Sequence, residues 1–370
     1  MKKRVLFVIP SFTIGGTISS LAAFLPAIKD NYDISLYSRS SLGDCRELFE
    51  DYHIIKENVW LSNTVRSRGR LVLLLSLIIQ LMLKCFSCLG INILPLLVKK
   101  GCKQIRADSF DLIVSYQESI AYFVQYFKGR KVCWIHSDVR RSDYGRSFDA
   151  FDNIICVSNF AKDCFVSKYP QLANRTAVVY NFVNEKEIIS KSCDESNIDI
   201  CFNSSKFTVI SVGRFDSVKQ FDKIPLIAYN LKQLMGCSFI WYVVGASHNF
   251  ANNIEDIQFN IKKLGLEDDV ILLPEKVNIY PYIKKSDVLV VTSKSETFSL
   301  VAFEAWTLGT PVIINDIPVA HEIIRGNNGI ISTIDDMHNA IFYLYNHPYR
   351  VQSFERLSSL TLSNFERIVG

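Results

Sequence analysis

Short apolar runs rich in valine and isoleucine recur from Arg4 to Asn315, and amphipathic stretches separate them. Runs of this kind, bounded by turn residues, read as strands buried on both faces. Strands that alternate with helices call for crossover connections and a parallel sheet. In the first half the strand candidates are Arg4–Ile9, Asp33–Tyr37, Asp111–Tyr116, Lys131–His136, Asn153–Val157 and Ala177–Tyr180. The pattern lapses over the polar stretch 184–206. It restarts at Phe207–Gly213 and continues through Phe239–Gly245, Val270–Leu273, Asp287–Thr292 and Pro311–Asn315. A length of 370 residues exceeds the roughly 250–300 over which a single core keeps growing. The expectation is an α/β protein with two doubly wound domains, 1–183 and 207–345, and a linker at 184–206. The tail, 346–370, is helix-compatible from Glu355 onward.

Composition narrows the class further. Hydrophobic residues make up 49% and charged residues 21%, enough for real cores, and a net charge of +4 does not call for nucleic acid as a partner. The one C-x-x-C, Cys85 and Cys88, has no second pair or histidine at zinc spacing. The ten cysteines are therefore expected as reduced, mostly buried thiols of a cytoplasmic protein. The basic and apolar start resembles a secretory signal only superficially. Its apolar run stops at Pro10 without a cleavage site and reads as the first strand.

The segment 71–98 departs from the alternation. Leu71–Leu83 is almost wholly apolar, Lys84 interrupts it, and Cys85–Val98 continues with Gly90 and Pro95 inside. Arg66, Arg68 and Arg70 precede it, and Lys99, Lys100 and Lys103 follow. As a helix the first run reaches about 20 Å, short of the roughly 30 Å hydrocarbon core. The favoured reading is a membrane-dipping helix or hairpin with its basic flanks on anionic headgroups. A buried helix pair and a true span are the alternatives.

Chemistry concentrates at a few strand ends. Gly15 and Gly16 open a helix directly after the first strand, where backbone amides can approach a phosphate; a plain tight turn would look the same. A strand delivers His136 to the carboxyl edge of the first sheet, with Asp138 beyond it. Glu118 ends the neighbouring strand, and no role is assigned to it. Ser158 is placed as a helix cap. Arg214 and Lys219 follow the strand at Phe207–Gly213 as two cations near a helix start. Last comes residues 293–314, SKSETFSLVAFEAWTLGTPVII, a strand–loop–helix–strand unit with carboxylates at Glu296 and Glu304. Acids near a helix N-terminus are favourable on electrostatic grounds alone.

The string around those acids closely resembles the E-x7-E signature of retaining GT-B glycosyltransferases of the family-four, or group 1, class. The matching positions are Ser293, Glu296, Phe298, Glu304, Ala305, Gly309, Pro311, Val312 and Ile313. Ser211–Gln220 resembles the family's V-G-R-L-x-x-x-K, and Gly245 stands at one of the two glycines of its V-G-x-G. The resemblance implies a GT-B fold, two Rossmann-like domains facing a central cleft, with a C-terminal helix, here in 346–370, that in many relatives crosses back to the first domain. It implies a nucleotide-sugar donor, UDP- or GDP-linked, held mainly by the second domain, and a glycan or polyprenyl-linked acceptor on the first. In that scheme Glu296 binds donor-sugar hydroxyls and Glu304 the ribose hydroxyls. The amides of Phe298, Ser299, Leu300 and Val301 hold the phosphates, as do Gly15 and Gly16. Arg214 and Lys219 carry the leaving-group charge, Glu275 and Val277 lie at the nucleobase, and His136 contacts the donor sugar. His136, Arg214, Lys219 and Glu296 form the catalytic set. Asn181 matches a position thought to shape the hinge. Thr297 and Ser299 replace frequent glycines, which implies a narrower donor pocket. The family scheme needs no metal and no cofactor, and it places such an enzyme at the inner face of a bacterial membrane, making surface polysaccharide. Its alternatives are a non-catalytic subunit of a transferase complex and a GT-B nucleotide-sugar epimerase.

Overall fold

The computed structural model of the chain describes residues 2–13, 15–40, 43, 45–56, 78–79, 81–83, 85–86, 88–196, 198–200, 202–245, 251–352 and 357–370, the side chains of 251–253 excepted. Much of the apolar segment 71–98 lies outside this set. The chain divides into two compact units, Met1–Phe182 with Leu357–Gly370, and Val183–Arg356.

In the first unit every strand pair is parallel. The strands are β1 (Lys3–Ile9), β2 (Tyr32–Ser38), β3 (His53–Ile54), β4 (Leu112–Ser115), β5 (Lys131–Ile135), β6 (Asn153–Cys156) and β7 (Thr176–Val178). They form a seven-stranded sheet in the order β3-β2-β1-β4-β5-β6-β7. Val5 through Ile9 are wholly buried, as expected for a strand covered by helices on both faces. The helices include α1 (Gly16–Ile28), α2 (Leu94–Gln104), α3 (Ala121–Val124) and α4 (Asn159–Lys168). Ser158 caps α4 by accepting the Ala161 amide at 2.9 Å.

The second unit opens with α5 (Glu185–Lys191) and continues with β8 (Phe207–Val212), α6 (Ile224–Met235), β9 (Phe239–Gly245), α7 (Ala251–Lys263), β10 (Val270–Pro274), α8 (Tyr280–Lys285), β11 (Val288–Val291), α9 (Leu300–Thr307), β12 (Val312–Asn315), α10 (Pro318–Ile323), β13 (Gly329–Ser332) and α11 (Met337–Asn346). Its sheet is six-stranded and parallel, in the order β10-β9-β8-β11-β12-β13. One apolar core runs from Val209 and Trp241 through Leu231 to Val290, Ile313 and Leu344. In both sheets the order reverses beside the first strand, at β1/β4 and at β8/β11. At such a switch point the loops leave in opposite directions and open a crevice at the carboxyl edge.

The structure departs from the sequence expectations in three respects: the linker, two added strands and the cysteines. The polar stretch 184–206 contains a helix, because Asn184 accepts the Glu187 amide at 3.3 Å and donates to the Glu187 carboxylate at 2.9 Å. Strands β3 and β13 were not anticipated. The last helix, α12 (Leu357–Val369), belongs to the first unit, where Phe365 packs edge-on to Phe24 with ring centroids 4.9 Å apart. Of the described cysteines all are free, but only Cys45, Cys133, Cys156 and Cys164 are buried, fewer than expected. No helix among the described residues is long and apolar enough to cross a membrane.

Candidate functional site

The loops after β8 and β11 flank the switch point of the second sheet, and they are tied together. The Thr292 hydroxyl donates to the Lys219 carbonyl at 2.6 Å, and the Lys294 amide to the Val218 carbonyl at 2.9 Å. Asp216 organises the first loop. Its Oδ1 accepts the amides of Val218 and Lys219, each at 3.0 Å. Its Oδ2 accepts Nε and Nη2 of Arg214 at 3.0 and 2.8 Å. Burial opposes the charge on Asp216, yet these bonds outweigh it and hold the carboxyl below its usual range.

Glycine makes this loop possible. A Cβ on Gly245, at the end of β9, would lie 1.7 Å from the Gly213 carbonyl oxygen. A Cβ on Gly213 would come within 3.0–3.3 Å of three carbons of the Lys219 side chain. Lys219 therefore lies across the bare backbone of Gly213, which aims its ammonium at the second loop. There it meets Glu296: Nζ to Oε1 is 2.6 Å, and the Ser293 hydroxyl donates to the same oxygen at 2.8 Å. Both partners are mostly buried, with side chains 21% and 15% exposed.

Next to this pair starts α9. Of its first-turn amides, that of Ala302 donates to the Ser299 carbonyl at 3.0 Å, which leaves those of Leu300 and Val301 without an acceptor inside the helix, facing the space beyond its N-terminus. Ser299 precedes the helix at φ 66°, a conformation glycine adopts more easily. Its hydroxyl is buried and has no hydrogen-bond partner among the described residues. Phe298 is also buried, stacked on Phe303 at 4.5 Å, so that residue offers its backbone and not its ring. One helical turn on, burial pushes the Glu304 carboxyl up to about 7. The Tyr280 phenol nearby is raised too, first by burial and then by the Glu304 charge. After β10, Glu275 is exposed and Val277 projects fully into solvent.

The structure thus brings together Lys219, Glu296, Ser299 and the first turn of α9 at one crevice. Arg214 is on the same loop but is engaged by Asp216 and is 57% exposed. Among the described residues its hydrogen bonds and ion pair all go to Asp216 and none to Glu296.

The first unit holds a separate cluster at its own carboxyl edge. The His136 ring lies 4.8 Å from the Tyr116 ring and stacks on Trp134 at 6.1 Å. Burial lowers its pKa to about 3, so the ring is neutral at physiological pH. A ring this acidic can accept a hydrogen bond but is a poor proton acceptor. The buried Glu118, left without a role by the sequence, holds the turn: its Oε2 accepts the His136 amide at 2.8 Å and its Oε1 the Ser137 hydroxyl at 2.5 Å. The adjacency of strands β4 and β5, both ending here, was the available signal. Asp138 caps a short turn and pairs with Arg140 at 2.8 Å, chiefly through which its carboxyl falls to about 2. Asn181 is buried and accepts the Ser20 hydroxyl at 2.9 Å. Gly16 starts α1 directly after Gly15, whose carbonyl accepts the Ser19 amide at 3.0 Å.

Residues 195–347 match the family described as glycosyl transferases group 1. An uncharacterised 41.2 kDa protein in the cps region of Klebsiella pneumoniae is 28% identical over 193 residues, covering 50% of this chain and 48% of that protein. The O-antigen chain mannosyltransferase RfbU of Salmonella typhimurium is 24% identical over 223 residues, covering 59% of this chain and 58% of that protein. The chain spans about half the length of these curated relatives. Among solved structures, Anabaena Alr3699/HepE in complex with UDP superposes with a TM-score of 0.73 at 17% identity, over 100% of this chain and 97% of that one. At that identity the likeness is one of fold.

Proposed function

Because the second unit carries a group 1 glycosyl transferase domain and the chain has the GT-B fold, we propose that this protein is a retaining, metal-independent glycosyltransferase. It moves a sugar from a nucleoside diphosphate to a hydroxyl of a glycan or polyprenyl-linked acceptor, in bacterial surface polysaccharide synthesis. The observation that carries the reading is the Lys219–Glu296 pair beside the open first turn of α9.

In this reading the diphosphate lies at the start of α9, where the amides of Leu300 and Val301 and the helix dipole favour negative charge. Lys219 supplies the cation that stabilises the departing phosphate, in a part of the site where water is scarce. Glu296 then exchanges its bond with Lys219 for a donor-sugar hydroxyl. Arg214 swings from Asp216 onto the diphosphate. Glu304 takes the ribose hydroxyls, and its ionisation is completed by their hydrogen bonds. The exposed Val277 and Glu275 mark the side where the UDP or GDP base rests. His136 accepts a hydrogen bond from a sugar hydroxyl. The scheme uses no carboxylate nucleophile: substitution proceeds on the same face of the sugar, and the leaving phosphate helps deprotonate the acceptor. No cofactor enters the scheme.

The described part of the apolar segment supports a peripheral membrane site at the cytoplasmic face. Leu81, Leu89, Ile91 and Leu96 are 50–72% exposed, and Lys99 and Lys103 stand exposed just beyond them. Apolar side chains with basic neighbours suit an anionic interface.

The deciding experiment is release of nucleoside diphosphate from a panel of UDP- and GDP-sugars, with and without membrane lipid extract, followed by NMR of the product anomer. A product with the donor's anomeric configuration is expected. An inverted product removes the retaining mechanism, and absence of both binding and turnover with every donor removes the transferase reading.

A further inference from the structure

We propose that Arg39 is an anion-recognising residue of the first unit, holding a phosphate oxyanion carried by the acceptor. The assignment starts from position. Arg39 directly follows β2, and its amide donates to the Ile9 carbonyl at 2.9 Å, which seats it over the end of β1. Its guanidinium lies 4.8 Å from the Tyr122 ring and 4.7 Å from the Phe123 ring. Those rings belong to α3, which follows β4. The side chain therefore reaches across the β1/β4 switch point, the place where a parallel sheet of this order opens its ligand crevice.

The second argument is electrostatic. Arg39 is only 8% exposed, and its Nε is buried without a hydrogen-bond partner. Among the described residues no carboxylate pairs with it. Burial lowers its pKa to about 10, so it remains charged at neutral pH. An unpaired buried charge is costly, and two aromatic faces compensate only part of that cost. The rings flank the guanidinium, and its buried, unpartnered Nε is a donor that an oxyanion would satisfy. Tyr122 is 37% exposed, so the site lies one ring from solvent. Asn92 donates to the Tyr126 hydroxyl at 3.3 Å, which ties this turn to the exposed apolar segment at Leu89, Ile91 and Leu96. A phosphate on a lipid carrier would arrive from that side, and a soluble phosphoryl compound would offer the same chemistry.

The word acceptor rests on the transferase reading; the anion site does not. The test is calorimetric titration of the full chain with inorganic phosphate and pyrophosphate, for wild type, Arg39→Met, Arg39→Lys and Lys219→Gln. Expected is a binding class that persists in Lys219→Gln and weakens about 10–100-fold in Arg39→Met. Arg39→Lys should fall between. Without anion, Arg39→Met should melt at or above wild type, because an unpaired buried charge has been removed. Anion binding equal to wild type in Arg39→Met overturns the proposal. So does a loss of melting temperature in Arg39→Met that Arg39→Lys restores without restoring anion binding, which marks a structural clamp. Flotation with phosphatidylcholine vesicles, plain and doped with a polyprenyl phosphate, separates the sources. An Arg39-dependent gain on doped vesicles assigns a lipid carrier, and phosphate binding with no such gain assigns a soluble acceptor. Nucleotide-sugar binding, measured in the same preparations, tests the transferase reading by itself and should be unchanged in Arg39→Met.

Discussion

The two units carry their charges in opposite ways. In the second, each cation of the site is already paired: Arg214 with Asp216, and Lys219 with Glu296. In the first, Arg39 has aromatic faces and no carboxylate among the described residues, and His136 is neutral. Stored ion pairs keep cations in place until the proposed diphosphate arrives to take them over. A charge stored against aromatic rings has nothing to give up, so it discriminates strongly between ligands that bring an anion and ligands that do not. The first arrangement suits a feature common to all donors, and the second suits a feature of one acceptor.

The sharpest way to break this contrast is to delete the paired cations. Lys219→Ala should lower kcat about 10²–10³-fold, since it removes a fixed charge aimed at the leaving group. Arg214→Ala should cost about 10²-fold, because Arg214 must first leave Asp216. Both are measured as steady-state turnover with a saturating donor. If Arg214→Ala retains near-normal turnover, the exposed Arg214–Asp216 pair merely shapes the loop.

The first unit's apolar face gives the next effect. Leu89→Ser combined with Leu96→Ser removes two exposed apolar side chains, each worth about 1.5–3 kcal/mol when fully buried. Binding to anionic vesicles should fall at least about tenfold in a flotation assay, while soluble donor turnover stays unchanged. Equal flotation means this face does not enter the interface.

How much of this was readable beforehand depends on whether the signal was local. The buried parallel strands were legible because Val5–Ile9 and Val288–Val291 are continuous apolar runs. Strand β3 was not, since it pairs through only two residues, His53 with Ser35 and Ile54 with Leu36. The helix in the supposed linker announced itself in the Asn184–Glu187 cap, which the polar composition around it obscured. Lys219 and Glu296 were each recognisable by motif, yet their contact spans 77 residues and depends on β8 lying beside β11. Arg39 had no motif. Its burial comes from Tyr122 and Phe123, far along the chain and on a helix after a different strand, and no periodicity encodes that.

A pH profile sharpens the contrast between paired and unpaired groups. Glu304 makes no ion pair among the described residues, and its carboxyl sits at about 7 because of burial. Ribose hydroxyls would bind its ionised form, so nucleotide affinity should weaken about tenfold per pH unit below 7. Glu304→Gln should flatten that limb. For stability the sign is reversed. The folded state holds this proton more tightly than the unfolded chain, so stability falls as pH rises from the ordinary carboxylate range to 7, and the cost is complete above it. Apo Glu304→Gln should therefore out-melt wild type most at pH 8 and least near pH 4. A pH-independent gap would mean that the Glu304 carboxyl titrates alike in the folded and unfolded chain, and burial does not raise it.

The smallest effect concerns Ser299, an unsatisfied group within the proposed donor site of the second unit. Its φ of 66° costs a side-chain-bearing residue about 1 kcal/mol, and its buried hydroxyl has no partner among the described residues. Ser299→Gly relieves both, so the apo protein should gain roughly 1 kcal/mol in denaturant unfolding. If the hydroxyl waits for a phosphate or sugar oxygen, the same change should weaken nucleotide-sugar binding several-fold, by loss of one hydrogen bond. Stability up with affinity down places Ser299 with Arg39, as a polar group kept at a cost for a ligand. Stability up with affinity unchanged leaves Ser299 as a strained helix start with no part in ligand binding.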